Sequence, residues 1–287
     1  MTTFFQVAID GILAGMLYAI VAAGLTLIWG VMDVINFAHG DFLMVAMYVS
    51  YWLGFLWKVD PLVSWIASAA FIFLLGVVTY KLIVSRCIGG KSAMAPLLAT
   101  FGLSMLLKNV CLNRFSPNFR ILSGTWLDGK KWEAAGLVFS MPQVVTSLFS
   151  LAVILVLWHL IRKTRTGWSI QATSMDREAA ELMGINTERV YVLVFGIGGA
   201  CLGVAGGLMP SYLATHPEVG SLFGLIAFVI VALGGFGSIP GSLLAALLIG
   251  LVEAFAGFYI APVFKYVAVF AVYLAVIMVR PKGLFGW

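Results

Sequence analysis

The sequence contains few charged residues. Asp, Glu, Lys and Arg together make up 10% of the 287 residues, whereas a soluble globular chain carries about 25%. Because 62% of the residues are hydrophobic, these charges cannot cover a water-facing exterior. The composition therefore excludes an ordinary soluble domain and favours a chain that is embedded in a lipid bilayer.

Cysteine and histidine are also scarce. The three cysteines, Cys87, Cys111 and Cys201, are odd in number and far apart, so they predict neither a disulfide framework nor a metal site. The three histidines are equally dispersed, and the sequence has no H-E-x-x-H or G-x-S-x-G motif. We therefore expect no metal, no catalytic group and no enzymatic activity in this chain.

The chain is basic, with a formal net charge of +5. A basic balance can indicate nucleic-acid binding, but here the Lys and Arg residues flank apolar runs, where they set membrane topology. No basic helix face or aromatic–basic platform accompanies them, so we predict no nucleic-acid partner. Residues 1–15 lack the basic region of a signal peptide, and we count the first apolar run as a membrane span.

Nine apolar runs are separated by short polar segments, and a span needs roughly 20 apolar residues. The pattern predicts an all-α, polytopic transmembrane helical bundle that forms a single domain over residues 1–287. We expect about eight spans, within a range of seven to nine, and broken or re-entrant segments near 30–41 and 234–241. The runs cover residues 4–29, 40–57, 61–84, 93–112, 141–161, 190–213, 222–235, 238–259 and 262–280.

Lys and Arg cluster in residues 85–92, in residues 162–189 and at the C-terminus, where Lys282 follows Arg280. The positive-inside rule predicts that these regions are cytoplasmic. The long segment 113–140 then faces the opposite side. The side of the N-terminus stays open, because it depends on how the interrupted segments are counted.

Residues 162–189, which we name the coupling segment, are polar and lie between two apolar runs. Thr173 and Asp176 resemble a capping box, and Gly184 is a typical helix stop. The pattern predicts a short amphipathic helix over about residues 174–183. A short helix outside the membrane, between two spans, is suited to docking a partner protein.

Residues 178–184 read EAAELMG and resemble the E-A-A-x-x-x-G loop of permeases in ATP-binding-cassette importers. In those permeases the small residues let a helix enter a cleft on the ATPase, and the glycine permits a sharp exit. The alternative is an ordinary capped surface helix. The predicted ATPase-coupling residues are Asp176, Arg177, Glu178, Ala179, Ala180 and Gly184.

Four segments together resemble the branched-chain amino-acid ABC transporter permeases of the LivH/LivM type, and LivH-like members most. They are GLTLIWGVMDVINFAHGDF (24–42), the stretch 162–185, ALGGFGSIPGSLL (232–244) and RPKGLFG (280–286). That family typically has a basic residue where this chain has Asp33, so no role is assigned to position 33.

The resemblance implies a permease of the bacterial inner membrane that spans the bilayer several times. It implies a heterodimer with a second homologous permease, two cytoplasmic ATPase subunits that use ATP and Mg, and an extracytoplasmic solute-binding protein. The chain itself would bind no cofactor. Gly89-Gly90-Lys91-Ser92 is not a phosphate loop, because Ser85 stands where the motif needs glycine.

Asn36, His39 and Asp41 fall within six residues, between two apolar runs. Polar groups at membrane depth are costly unless they face a cavity or a partner, and Gly30 and Gly40 are predicted to permit a helix break around them. Paired interruptions in two halves of a chain point to a substrate pathway. The alternative is an interfacial loop whose polar groups bind water. The predicted pathway residues are Asn36, His39, Asp41, Gly234, Gly235, Gly237 and Glu253.

Asp10 and Glu253 lie inside apolar runs. They are candidates for pathway lining or a proton relay, but we favour structural polar contacts. These would be interhelical hydrogen bonds, which also join membrane helices, or, for Asp10, a position close to the membrane interface. Gly199, Gly203 and Gly207 form a stripe on one helix face, for which we predict close packing within the chain rather than a subunit interface.

Other functions stay open at this point. A permease of the same class could carry urea, amides or aromatic acids. A stand-alone secondary transporter would work without ATP and without partner subunits. An intramembrane enzyme would need catalytic groups clustered at one depth, and the sequence shows none.

Overall fold

The computed structural model describes residues 2–88, 94–134, 136–281 and 283–285 and is 79% helical. The rejected phosphate loop, residues 89–92, and Lys282 lie outside the described residues. A short antiparallel hairpin interrupts the helical pattern. In chain order the elements are α1 (Thr2–Met32), α2 (His39–Trp57), α3 (Pro61–Thr79, extended by a π-helical turn Tyr80–Val84 and Ser85–Cys87), α4 (Met94–Phe115), β1 (Lys131–Ala134), β2 (Leu137–Ser140), α5 (Met141–Lys163), α6 (Arg165–Met175), α7 (Arg177–Leu182), α8 (Thr187–Leu208), a 3-10 turn Met209–Ser211, α9 (Val219–Gly234), α10 (Ile239–Tyr259), a 3-10 turn Pro262–Phe264 and α11 (Lys265–Val279).

Within the described residues, 7 helices are long and apolar enough to cross a membrane. They are α1, α3, α4, α5, α8, α10 and α11, some with their short extensions. Helix α9 is a shorter apolar helix of 16 residues, and α2 begins with the polar sequence His39-Gly40-Asp41. The prediction of an all-α bundle with many spans is confirmed.

One end of the bundle, which we name the hairpin face, gathers β1, β2 and the start of α1. The Gln6 Nε2 group donates to the Val138 carbonyl at 2.8 Å, and Gln6 Oε1 accepts from the Val138 N–H at 2.9 Å. The turn between α2 and α3 lies there too, because Asp60 accepts from the Trp126 N–H at 2.6 Å. The sequence left the side of the N-terminus open; in the structure the start of α1, from Thr2 on, lies on the hairpin face.

The opposite end, which we name the coupling face, gathers the end of α1, the turn between α9 and α10, and the coupling segment. Gly30, Gln171 and Gly237 line one small gap there. The Leu284 N–H donates to the Leu233 carbonyl at 2.8 Å and fixes residues 283–285 to the same face. The two faces are therefore separated by the length of the spanning helices.

Helices α1 and α8 form the centre, with 78% of the most apolar stretch of each buried. Small residues let neighbouring helices approach them closely. All three glycines of the predicted stripe face α3: a Cβ added at Gly203 would lie 2.7 Å from the Ser68 carbonyl oxygen, and Gly199 and Gly207 meet Ile72 and Trp65. The contact between α3 and α8 is thus backbone against backbone.

The prediction that Gly30 and Gly40 permit the helix break is wrong. Helix α1 continues through Gly30 to Met32, and the break occupies residues 33–38. The two glycines are needed for packing instead, because a Cβ at Gly30 would overlap Gly237 and a Cβ at Gly40 would overlap the Gly220 carbonyl.

The capping box predicted at Thr173 is also wrong. Thr173 lies inside α6, where its hydroxyl donates to the Ser169 carbonyl at 2.8 Å. Asp176 ends α6 in an extended conformation and accepts from the Ala179 N–H at 3.0 Å, so it is the N-cap of α7. The coupling segment therefore holds two short helices, and Gly184 follows the second with a φ of +82°.

Glu181 joins α7 to the start of α8. Its Oε1 atom accepts from the Thr187 hydroxyl at 2.6 Å and pairs with the Arg177 Nε group at 3.0 Å. The hydrogen bond from Thr187 and the Arg177 guanidinium lower the pKa of Glu181 below its ordinary value. Because the folded pKa is lowered, the stabilising contribution is present at neutral pH and is lost only as the pH falls through that lowered value.

We expect Gly40→Ala to destabilise the protein by about 1–3 kcal/mol, because the methyl group must displace the Gly220 backbone. The measurement is the thermal unfolding temperature in detergent, which should fall by several degrees. Gly102→Ala is the matched control, since nothing lies within 4 Å of the added Cβ. An equal loss in both variants would contradict the packing role of Gly40.

We expect Glu181→Gln to increase the rate of amide hydrogen exchange across Arg177–Leu182, because it removes the ion pair with Arg177 and weakens the link to Thr187. Hydrogen-exchange mass spectrometry at neutral pH measures this directly. Glu178→Gln, in the first turn of the same helix, is the control and should exchange like the unmodified protein. Unchanged exchange in both variants would show that Glu181 does not hold this helix.

Candidate transport site and coupling segment

The break between α1 and α2 is a short ordered segment. Asp33 adopts a left-handed conformation, φ 52°, and its N–H still donates to the Trp29 carbonyl at 2.9 Å, which ends α1. Three residues on, the Asn36 side-chain oxygen accepts from the Ala38 N–H at 3.1 Å. The Asn36 carbonyl also accepts from the His39 N–H at 3.3 Å. Local polar contacts therefore turn the chain into α2.

Helix α2 starts inside the bundle rather than at its end. The His39 ring, which is fully buried, contacts the Val21 carbonyl of α1 through Nε2 at 2.9 Å, so the proton lies on Nε2. Val21 precedes the end of α1 at Met32 by eleven residues, or about 16 Å at 1.5 Å per residue. The segment 33–38 therefore runs from the coupling face back into the bundle, to the depth of Val21.

Helix α9 also starts inside the bundle, and the two starts meet. Gly40 and Gly220 pack with their backbones in contact. Glu218, just before α9, pairs with Lys108 of α4 at 2.6 Å, two turns before α4 ends at Phe115. From this meeting point α2 runs to the hairpin face and α9 to the coupling face. Broken helices of this kind bring the positive ends of two helix dipoles to one place inside a transporter.

Each of the three polar residues predicted around the break has a buried atom without a hydrogen-bond partner in the described part of the chain. The atoms are Asn36 Nδ2, His39 Nδ1 and Asp41 Oδ1. The three side chains are almost completely buried. A buried polar atom without a partner is unfavourable, so such groups mark a place where a solute, water or a moving element supplies the partner.

Helix α4 adds a row of polar residues that the sequence reasoning missed. Thr100 accepts from the Phe37 N–H at 3.2 Å and donates to the Ile35 carbonyl at 3.1 Å. Ser104 and Lys108 follow along the same face and lie beside Asp41. Their spacing of four residues places them on one face of a helix. This regular spacing was the signal in the sequence that could have identified α4 as part of the site.

The remaining predicted pathway residues do not join this site. Gly234, Gly235 and Gly237 lie at the opposite end of α9, where Gly237 packs against Gly30 on the coupling face. Glu253 makes the interhelical hydrogen bond that was favoured for it: it accepts from the Tyr18 hydroxyl at 2.6 Å and pairs with Lys265 at 2.9 Å. This contact ties α1, α10 and α11 together. The Tyr18 ring in turn lies 5.8 Å from that of Phe223, near the start of α9.

Asp10 has a local partner. Both of its carboxylate oxygens accept from the Gln6 Nε2 group, at 3.2 and 3.3 Å. The structural contact of Asp10 is therefore a hydrogen bond within α1 rather than between helices, because Gln6 lies one turn earlier on the same face.

The predicted coupling residues form a small exposed helix with an apolar end. Ala180 is buried, while Leu182 and Met183 are 89% and 83% exposed. Side chains of α6 hold the segment to α5: the Trp168 Nε1 group donates to the Arg162 carbonyl at 3.1 Å and the Gln171 amide to the Ile161 carbonyl at 2.9 Å. A rigid helix pair thus presents apolar side chains outside the bundle.

Comparison with known proteins gives consistent results along the whole chain. A family model described as a branched-chain amino acid transport system permease component matches residues 7–278. The high-affinity branched-chain amino acid transport system permease protein LivH of Salmonella typhimurium is 32% identical over 295 residues, which cover 99% of this chain and 96% of the relative. BraD of Pseudomonas aeruginosa shows the same identity and coverage.

A solved structure, PsaBC from Streptococcus pneumoniae in complex with Fab, has a similar fold. It superposes with a TM-score of 0.55 over 98% of this chain and 94% of that chain, at 16% identity. The match to the family model and the identity to LivH and BraD over nearly the full length both identify the family of this chain. The chain is a multi-pass membrane protein that belongs to the family of permease components of branched-chain amino acid transport systems.

Proposed function

We propose that this chain is the membrane-spanning permease subunit of an ATP-binding-cassette importer. It moves branched-chain amino acids or related small polar solutes across the bacterial inner membrane. The observation that carries this proposal is the identity to LivH and BraD over nearly the full length. The chain itself does no covalent chemistry and binds no cofactor, because ATP and Mg are used by partner subunits.

The proposed assembly contains this permease, a second homologous permease, two ATPase subunits and a solute-binding protein. The coupling face is cytoplasmic, because basic residues are enriched in cytoplasmic loops and the coupling segment contains five of them: Arg162, Lys163, Arg165, Arg177 and Arg189. The hairpin face is then extracytoplasmic and receives the solute-binding protein. The residues Asp176 to Gly184 dock in the ATPase.

The second permease packs against α4. Only 17% of the most apolar stretch of this helix is buried within the chain. Its outer side includes Gly102, which has no neighbour within 4 Å of an added Cβ, and Asn109, whose amide donates to the Met105 carbonyl at 2.7 Å. A small residue and an amide suit a helix–helix contact better than a lipid contact.

The solute pathway runs between the two permeases, past the meeting point of α2 and α9. Asp41, Lys108 and Glu218 lie on the α4 side of this point, and His39 lies on its α1 side, against the Val21 carbonyl. When the ATPases close, α6 and α7 move as one body and transmit the movement to α5 and α8. The meeting point then opens alternately to the two sides, as in alternating access.

The central experiment reconstitutes the chain with its partner subunits in liposomes. We expect uptake of radiolabelled leucine that requires ATP and the solute-binding protein. Uptake by the purified single chain without ATP would instead identify a secondary transporter. Uptake of urea, amides or aromatic acids in place of leucine would change the substrate assigned to the permease. The chain would still be a permease of an ATP-binding-cassette importer.

We expect the double change Leu182→Ser and Met183→Ser to weaken co-purification of the ATPase subunits at least tenfold, because both side chains are exposed on the coupling face. The measurement is the ATPase-to-permease ratio after affinity purification. Ile121→Ser, at a residue that is 74% exposed in the segment on the hairpin face, is the control and should leave the ratio unchanged. Normal co-purification of the double variant would contradict docking through this helix.

We expect Lys108→Met to reduce ATP-dependent uptake at least tenfold, because it removes the cation beside the buried Asp41 carboxylate and the ion pair with the exposed Glu218. Initial uptake rates at equal amounts of folded complex measure the effect. Arg114→Met, near the end of the same helix and exposed, is the control for lost charge. Full uptake by the Lys108 variant would remove this cluster from the pathway.

A further inference from the structure

A cleft of about 740 Å³ opens on the coupling face, between the end of α5, α6 and the start of α10. Its walls include Trp158, Arg162, Lys163, Gln171 and Ser238. We propose that this cleft binds the headgroup of an anionic phospholipid. The site lies apart from the meeting point of α2 and α9 and is independent of which solute the permease carries.

The charge of the cleft favours an anion. Arg162 and Lys163 line it, and none of the described residues that line it is acidic. Neither cation forms an ion pair within the described part of the chain. Two adjacent cations, one of them a guanidinium that can bind two oxygens at once, match a phosphate group.

The two cations are not required by the end of α5 itself. The carbonyls of Ile161 and Arg162 already accept from Gln171 and Trp168 of α6, and the Thr164 N–H caps the helix by donating to the Leu160 carbonyl at 3.2 Å. The Arg162 guanidinium instead lies 5.1 Å from the centre of the Trp158 ring. A cation–π contact holds it at the rim of the cleft.

The opposite wall adds a second electropositive element. Helix α10, which has 21 residues, begins there, with Ser238 as its N-cap accepting from the Gly241 N–H at 3.1 Å. The first turn of a helix carries a partial positive charge that favours an anion. An anion in the cleft would therefore lie between the cation pair and the start of α10.

The apolar part of the wall distinguishes a lipid from a free anion. Trp158 and Ile161 belong to the last turns of a membrane-spanning helix, and Met175 at the end of α6 is 88% exposed. Tryptophan and basic residues at the end of a span are typical of the membrane surface. Basic pockets between transmembrane helices on the cytoplasmic side bind anionic headgroups, and here acyl chains could continue along α5.

A bound headgroup would add the start of α10 to the contact that α6 already makes with α5 through Trp168 and Gln171. The neighbouring gap of about 80 Å³ lies between Gly30, Gly237 and Ser174, so the lipid would sit where α6 meets the break before α10. Bridging α5, α6 and α10 would stiffen the link between the coupling segment and the spans. An anionic lipid would in this way strengthen the transmission of movement from the coupling segment.

The test uses the full chain in its purified complex and native mass spectrometry in detergent. Phosphatidylglycerol, phosphatidylcholine with the same acyl chains, and inorganic phosphate are titrated separately. We expect phosphatidylglycerol to bind at least tenfold more tightly than phosphatidylcholine. The double change Arg162→Gln and Lys163→Gln should weaken phosphatidylglycerol binding about thirtyfold, as expected for two cations near an anionic lipid.

The matched control is the double change Arg165→Gln and Arg189→Gln. It removes the same charge from the same segment, and neither residue lines the cleft. It should keep the preference for phosphatidylglycerol. Equal affinity for the two lipids, or an equal loss in both double variants, would overturn the proposal, and so would inorganic phosphate binding as tightly as the lipid.

A photoreactive phosphatidylglycerol provides a measurement that needs no variant. Crosslinks should map to peptides that contain residues 158–175 and 237–240, and they should decrease when unlabelled phosphatidylglycerol is added. Crosslinks confined to other peptides would overturn the assignment even if the double variant failed to fold. Neither readout requires transport, so a failed lipid site and a failed importer function remain distinguishable.

Discussion

Backbone contact between Gly40 and Gly220 is the constraint on which the site depends. It holds the starts of α2 and α9 against each other inside the bundle, where any larger residue would separate them. Because both helices begin there, the partial positive charges of two helix ends are concentrated in one buried region. Asn36, His39 and Asp41 are buried as a consequence, and each keeps one polar atom free for a partner from outside the fold.

The sequence predicts the helices well and their contacts poorly. Long apolar runs indicate directly where a chain can cross a membrane. The predicted boundaries of α2, α5 and α10 are therefore close to the observed ones. Local propensity was misleading at Gly30 and Gly40, since glycine can signal either a helix break or close packing, and only the neighbouring backbone decides between them. The capping box predicted at Thr173 was wrong because Asp176, three residues later, is the better N-cap. The coupling segment is therefore divided into two helices at Asp176.

Only the residues at the break, and not those that lie beside them on α4 and α9, could be predicted from the sequence. Asn36, His39 and Asp41 stand out because they are polar where an apolar residue is expected. The residues that the fold places beside Asp41, namely Ser104, Lys108 and Glu218, do not stand out. A polar residue near a loop has an ordinary explanation until the fold brings it beside the break. The α4 residues showed a regular spacing, but without the fold no reason existed to connect that spacing with residues 36–41.

The distribution of burial separates a buried centre from two peripheral helices. Helices α1 and α8 are largely buried, whereas α4 and α11 have 17% and 6% of their most apolar stretches buried. Each peripheral helix carries the lysine of an ion pair with the rest of the bundle: Lys108 with Glu218, and Lys265 with Glu253. The two pairs differ in exposure, because the Glu218 side chain is 60% exposed and the Glu253 side chain only 11%. An exposed ion pair contributes little, whereas a buried carboxylate that loses its cation is costly. A shift of α11 therefore requires another polar group in place of Lys265 at Glu253, whereas the Lys108 contact is the weaker of the two restraints.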